Sequence, residues 1–242
     1  MNLIIDVGNT YTKLAVFSDA KIIHKKKVRP KYILKHINAL VENYPSLNKA
    51  VISSVGEISE STLKSLNHKL NLLIFNSETK VPFANKYTTP KTLGIDRLAL
   101  VSASVLKFKE KNVLIIDAGS CITYDFIKAN NEYLGGAISP GIRMRYKALN
   151  NFTANLPLLE TEKPKNLTGD STKESIHSGV VFGVLNEMDG VINAYKLKYS
   201  DLTVILTGGD AKFLSKQLKS SIFANSNFLL EGLNYILEFN SN

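Results

Sequence analysis

Residues 3–17 read LIIDVGNTYTKLAVF, two short apolar runs joined by a polar turn that carries Asp6, Gly8, Asn9 and Thr10, with Lys13 just beyond it. The plan recurs at 113–126, VLIIDAGSCITYDF, where Asp117, Gly119 and Ser120 occupy the turn. A third apolar run at 203–210, TVILTGGD, ends on Thr207-Gly208-Gly209. A strand that stops at glycine lets backbone N–H groups approach an anion closely, because no Cβ intervenes. Hydroxyls at Thr10 and Ser120 add neutral donors, and Lys13 adds a mobile positive charge. Asp6 and Asp117 end their strands with carboxylates, the oxygen ligands that hard cations take. Ordinary hairpins with Asp-x-Gly turns would account for either stretch alone. Both together, followed by the TGG strand, point to a split phosphate site in which two similar halves close around one nucleotide.

Working outward from the first hairpin, residues 21–28 form a third antiparallel strand. Pro30 opens a helix with Ile33, Leu34, Ile37, Leu40 and Val41 at helical spacing. Residues 50–55 and 72–75 are short strands, separated by a helix over 59–70. Three strands, helix, strand, helix, strand is the order of one half of an actin-like or sugar-kinase-like fold. A polar loop over 76–91 ends in Thr92-Leu93-Gly94-Ile95-Asp96-Arg97, followed by an amphipathic helix. Asp96 stands where a helix start favours acidic groups; by itself it reads equally as a cap, with Arg97 pairing a neighbour. The second half opens at Asn112. Its hairpin leads to EYLGGAI and Ser139-Pro140-Gly141, then a helix through Met144 and Leu149, a loop over 151–170, and a helix from Ser171-Thr172 to about Tyr195. Gly179 and Gly183, four apart in that helix, are expected to permit close packing against another helix or backbone. A helix over about 211–218 and a last helix near 228–239 complete this half.

At 242 residues and 44% hydrophobic, the chain is long enough for two small domains. No apolar run approaches the roughly 20 residues of a membrane span, and residues 1–6 lack the charged-then-apolar layout of a signal peptide. The single cysteine, Cys121, excludes an internal disulfide and fits a reducing cytoplasm. It is expected in the core of its strand. The net charge of +9 attracts anions, yet the lysines are scattered apart from Lys25-Lys26-Lys27, which reads as a solvated edge strand. The four histidines, His24, His36, His68 and His177, show no metal spacing, and only His177 falls near a candidate site.

Taken together, Asp6-Val7-Gly8-Asn9-Thr10 with Lys13, Gly94-Ile95-Asp96-Arg97, Asp117-Ala118-Gly119-Ser120 and the run Gly135 to Gly141 (GGAISPG) resemble type III pantothenate kinase, in the right order from Met1 to about Gly209. The resemblance implies an α/β fold of two actin-like (ribonuclease H-like) halves, 1–111 and 112–242. Each would be a mixed β-sheet with flanking helices, with the nucleotide in the cleft between them. It implies phosphorylation of pantothenate by ATP with Mg²⁺ and a monovalent cation (K⁺ or NH₄⁺), in a cytoplasmic homodimer. By the same resemblance Asp6, Val7, Gly8, Asn9, Thr10, Tyr11, Thr12, Lys13 and Ser120 bind ATP, Asp6 lying near Mg²⁺ through water. Asp117 holds the monovalent cation. Tyr87, Gly94, Ile95, Asp96, Arg97 and Thr172 bind pantothenate, Asp96 as general base and Thr172 across the dimer interface. Ser120 replaces the family's usual threonine and keeps its hydroxyl. Two rival readings stand beside this one: a non-catalytic relative acting as a transcription accessory or nucleic-acid-binding protein, which the intact aspartates and Lys13 disfavour, and another kinase of the superfamily, which the GIDR motif and the short length disfavour.

Overall fold

The two apolar runs of the first hairpin are continuous, and they bury both faces of one sheet. In the computed structural model, which describes residues 1–8, 11–54 and 59–241, the chain divides into two units: Met1–Lys107 with Asn227–Asn242, and Phe108–Ser226.

In the first unit the strands β1 (Asn2–Val7), β2 (Thr12–Ser18), β3 (Lys21–Val28), β4 (Lys49–Ser54) and β5 (Asn71–Ile74) form a sheet in the order β3-β2-β1-β4-β5. β1 and β2 pair antiparallel, as do β2 and β3, whereas β4 runs parallel to both β1 and β5. Leu3, Ile5 and Val7 point to the same side as Leu14, Val16, Ala50 and Ile52, and pack with Ile33, Ile37 and Leu40 of α1 (Ile33–Asn43) and Leu66 of α2 (Glu60–Lys69). Ser59 caps α2, its side chain accepting from the Thr62 N–H. The short strand β6 (Ala84–Asn85) lies on the loop that leads to α3 (Ile95–Lys107).

The second unit repeats the plan. Here β7 (Val113–Ala118), β8 (Cys121–Ile127) and β9 (Glu132–Pro140) are antiparallel in turn, and β10 (Thr203–Thr207) adds parallel to β7, followed by β11 (Phe223–Ala224). The helices are α4 (Ile142–Asn151), α5 (Thr172–His177), α6 (Gly183–Lys198) and α7 (Ala211–Leu214). Leu114, Ile116, Tyr124, Phe126, Val184, Met188 and Leu206 form its core.

The last helix, α8 (Phe228–Phe239), groups with the first unit and not with the 112–242 half expected from the sequence. It packs on α3, β1 and β4. Gly232 makes this possible, since a Cβ there would come 1.9 Å from the Ala99 carbonyl oxygen. Asn2 of β1 donates to Asn234 of α8 at 2.8 Å, and Asn234 donates to the Asp19 carbonyl at 3.1 Å.

Two expectations are corrected. Cys121 is exposed, because it is the first residue of β8, immediately past the Ser120 turn. Gly179 and Gly183 do not serve close packing: a Cβ at Gly179 would meet nothing within 4 Å, and one at Gly183 only the Arg145 guanidinium at 3.9 Å. Gly179 lies in the stretch where the helix widens into a π-turn, Ser178–Phe182, and Gly183 is the residue at which it resumes as α6. Val55, expected to end β4, lies outside the described residues.

Candidate active site

In the first unit, the end of the β1–β2 hairpin carries the densest set of expected residues. Asp6 and Lys13 are directly opposite in the ladder, and the Lys13 ammonium donates to Asp6 Oδ2 at 3.0 Å. The Gly8 N–H donates to the Tyr11 carbonyl at 3.1 Å and closes the turn. Asn9 and Thr10 lie outside the described residues. Pleating sends Val7 and Thr12 to the other side of the sheet, into the α1 face, so Thr12 has a fully buried hydroxyl without a hydrogen-bond partner among the described residues. Any contact of Thr12 with a phosphate therefore runs through its backbone. Tyr11 is 40% exposed.

The second cluster of this unit is built on the start of α3. The Gly94 carbonyl accepts from the Arg97 N–H at 3.1 Å, and Asp96 Oδ1 accepts from the same N–H at 2.8 Å. Asp96 is half-buried, so its second oxygen can face a substrate hydroxyl. A Cβ on Gly94 would stand 2.5 Å from Asp96 Oδ1, so the glycine leaves room for this carboxylate orientation. Arg97 is buried at 4% exposure, with its guanidinium 5.6 Å from the centre of the Tyr87 ring. Tyr87 is itself held by its N–H on the Asn85 side chain at 3.0 Å. A buried cation stacked on an aromatic ring can orient a carboxylate.

In the second unit, three backbone turns meet. Gly119 donates to the Cys121 carbonyl at 2.9 Å, Gly141 to the Ser120 carbonyl at 3.2 Å, and Asp210 to the Ala118 carbonyl at 2.9 Å. Gly141 must lack a side chain, because a Cβ would sit 2.2 Å from the Gly119 carbonyl oxygen. Gly208 adopts φ +96°, and a Cβ there would lie 2.4 Å from Asp117 Oδ1. Ser120 is exposed at the apex. Asp117 is in register with Thr123 on β8 and Thr207 on β10, so a carboxylate and two hydroxyls share one face. Thr123 Oγ1 is buried with no hydrogen-bond partner among the described residues. An all-oxygen set with an orphaned hydroxyl fits a hard cation such as K⁺. Neither Thr123 nor Thr207 was singled out from the sequence as a ligand, since only strand register brings them beside Asp117. Burial raises the Asp210 carboxyl above its ordinary range.

Behind the Pro140-Gly141 turn lies a network that sequence reading also missed. Arg145 of α4 donates to Ser139 Oγ at 2.9 Å and to the Pro140 carbonyl at 2.9 Å, and it pairs with Glu187 of α6. Glu187 also accepts from the Tyr124 hydroxyl at 2.8 Å. Burial opposes the Glu187 charge, but hydrogen bonds from Arg145, Tyr124 and Ser139 outweigh it and hold the carboxyl below its usual range. Burial pushes the Tyr124 hydroxyl up. His177 is buried, with Nδ1 2.7 Å from the Tyr146 hydroxyl and Nε2 3.8 Å from a Glu162 carboxylate oxygen. Thr172 is exposed at the first turn of α5, where Ser171 caps the helix by accepting from the Glu174 N–H. It borders an apolar groove of about 870 Å³ lined by Leu149, Phe152, Leu156, Ile176 and Val180. Among the described residues, no helix is long and apolar enough to cross a membrane, and no cluster of three or more His, Cys, Asp or Glu could hold a metal ion.

A family profile described as type III pantothenate kinase matches residues 2–194. A type III pantothenate kinase of Christiangramia forsetii is 50% identical over 240 residues, covering 99% of both chains. Among solved structures, a Campylobacter jejuni protein assigned to the Baf family of transcriptional activators superposes with a TM-score of 0.65 at 24% identity, covering 98% of each chain. A glucokinase from an Antarctic psychrotroph gives 0.57 at 12% identity, again over 98% of each chain. At these identities the two structures speak for the fold alone, an α/β fold that the chain shares with that glucokinase.

Proposed function

The chain belongs to the type III pantothenate kinase family, and from that premise we propose that it transfers the γ-phosphoryl group of ATP to the primary hydroxyl of pantothenate with Asp96 as general base. The observation that carries the reading is the Asp96 carboxylate at the head of α3, with one oxygen fixed by the Arg97 N–H at 2.8 Å and the buried Arg97, set against the Tyr87 ring, next to it in sequence. Phosphoryl transfer asks the protein for positioning, charge neutralisation and an acceptor for the alcohol proton. Asp96 accepts that proton as the hydroxyl oxygen bonds to phosphorus and ADP departs. Arg97 and Tyr87 orient pantothenate through its carboxylate, together with the Gly94-Ile95 backbone.

The Gly8 turn and Lys13 hold ATP phosphates, and Ser120 adds a hydroxyl at the second turn. Asp6 would hold Mg²⁺ through water; a single carboxylate suits an ion that keeps most of its waters and takes phosphate oxygens. Asp117, with Thr123 and Thr207, would hold the monovalent cation. These ions supply positive charge for the phosphates. The protein acts as a homodimer, with Thr172 and the apolar groove beside it at the interface; Phe152, 86% exposed on that groove, is the kind of apolar surface a partner covers.

An ATP-consumption assay with pantothenate, with and without K⁺, beside glycerol, acetate and glucose, tests the activity. Turnover with pantothenate alone, raised by K⁺, is the expected result. No turnover with pantothenate under any cation overturns the reading.

A further inference from the structure

Lys27 has no part in the roles assigned above. The register of β3 sets it directly opposite Lys13, Lys13 stands opposite Asp6, and Asp6 lies alongside Ser53 of β4. Residues paired across strands share a face, so Lys27, Lys13, Asp6 and Ser53 form one row across the sheet. The basic run is thereby split. Lys25 and Lys27 point to the Asp6 face, and Lys25 is taken up by the Asn227 side chain at 2.6 Å. Lys26 points to the α1 face, where burial and then the Lys26 charge depress the His36 imidazole.

The row is short of negative charge. Two lysines directly opposite one another repel, and Asp6, the one carboxylate in the row, is taken by Lys13 at 3.0 Å. Among the described residues the Lys27 ammonium meets no carboxylate and rests 4.1 Å from the centre of the Tyr11 ring. Tyr11 closes the Gly8 turn, so this cation is parked at the lip of the same turn. A contact with an exposed aromatic face is weak and readily exchanged for a phosphate oxygen. Lysine reaches such a ligand as a mobile point charge on a flexible stem.

We propose that Lys27 is a second phosphate-binding cation of the nucleotide site, leaving the Tyr11 ring for a non-bridging oxygen of the triphosphate when Mg·ATP occupies the Asp6–Lys13 turn. This rests on the reading of that turn as the ATP-phosphate site. A cation that binds the triphosphate before and during transfer acts on ATP affinity more than on turnover.

The test compares Lys27→Met, Lys27→Arg, Lys13→Met and Lys26→Met by steady-state kinetics in both substrates, with a thermal melt of each. Lys27→Met should raise the KM for ATP about tenfold and leave the KM for pantothenate within about twofold, the scale of one lost charge-assisted hydrogen bond. Lys27→Arg should restore most of the ATP affinity, and Lys26→Met should behave as the parent protein. If Lys27→Met has the parent KM for ATP while Lys13→Met does not, Lys27 has no such role and the turn keeps its own. If neither variant changes the KM for ATP, the reading of the turn fails with it. An equal effect of Lys26→Met, or a lowered melting temperature with both KM values raised, overturns the proposal in favour of general surface charge or a structural role.

Discussion

In the proposed reading, Asp96 puts a helix start to chemical use in place of capping alone. Its carboxylate accepts from the N–H of the next residue, which fixes its direction yet leaves one oxygen for a proton. Asp96→Asn should therefore lower kcat by about 10²- to 10⁴-fold, the range for a lost general base, with an unchanged melting temperature; a variant that turned over normally would remove Asp96 from that role. Gly94 acts through Asp96. Adding a methyl at Gly94 would press on Asp96 Oδ1 from 2.5 Å, and the carboxylate, being mobile, would turn away. Gly94→Ala should fold and yet lose about tenfold or more in kcat, because a displaced reacting group is costly. At Asp117, loss of the carboxylate charge should abolish the response to K⁺. Asp117→Asn that is still stimulated by K⁺ would move the cation elsewhere.

Between elements, Glu187 ties α6 to α4 through Arg145 and to β8 through Tyr124. Its folded pKa lies below the ordinary 4.5. The stabilisation is therefore complete above about 4.5, the unfolded value, and is lost as pH falls through the folded one. Melting temperatures of the parent protein should drop more steeply between pH 6 and pH 3 (roughly the window either side of that value) than those of Glu187→Gln. Equal slopes would show that other carboxylates control acid unfolding. The α3–α8 packing depends on Gly232 in the same local way. Gly232→Ala would drive a methyl into the Ala99 carbonyl, an overpacking cost of about 1–3 kcal/mol, visible as a lower denaturation midpoint in urea. An unchanged midpoint would mean that α8 can shift without loss.

At the scale of the whole molecule, Phe152→Asp should convert the proposed dimer to monomer in light scattering, since a charge on an apolar groove opposes its burial; a dimer that persisted would place the interface on another surface. The broad plan was legible in the sequence. Strands β1, β2, β3, β7 and β8 follow from apolar runs and glycine turns, and Asp96 at the head of α3 follows from Gly94 before an amphipathic run. What lay hidden were relations between distant positions. Cys121 reads as core by its neighbours, but its place at the strand's first residue exposes it. Gly179 and Gly183 suggest tight packing by their spacing, but the π-turn leaves Gly179 open. The sequence, then, determined the local chemistry of this protein: which strands end in glycine, which turns carry carboxylates, and which helix begins with Asp96. Periodicity and turn propensity act within a few residues, so they are written in the chain. Only the tertiary structure decided that α8 joins the first unit, that Thr123 and Thr207 flank Asp117, and that Lys27 stands opposite Lys13. Each depends on strand register or long-range packing, which the whole fold sets and no local stretch can.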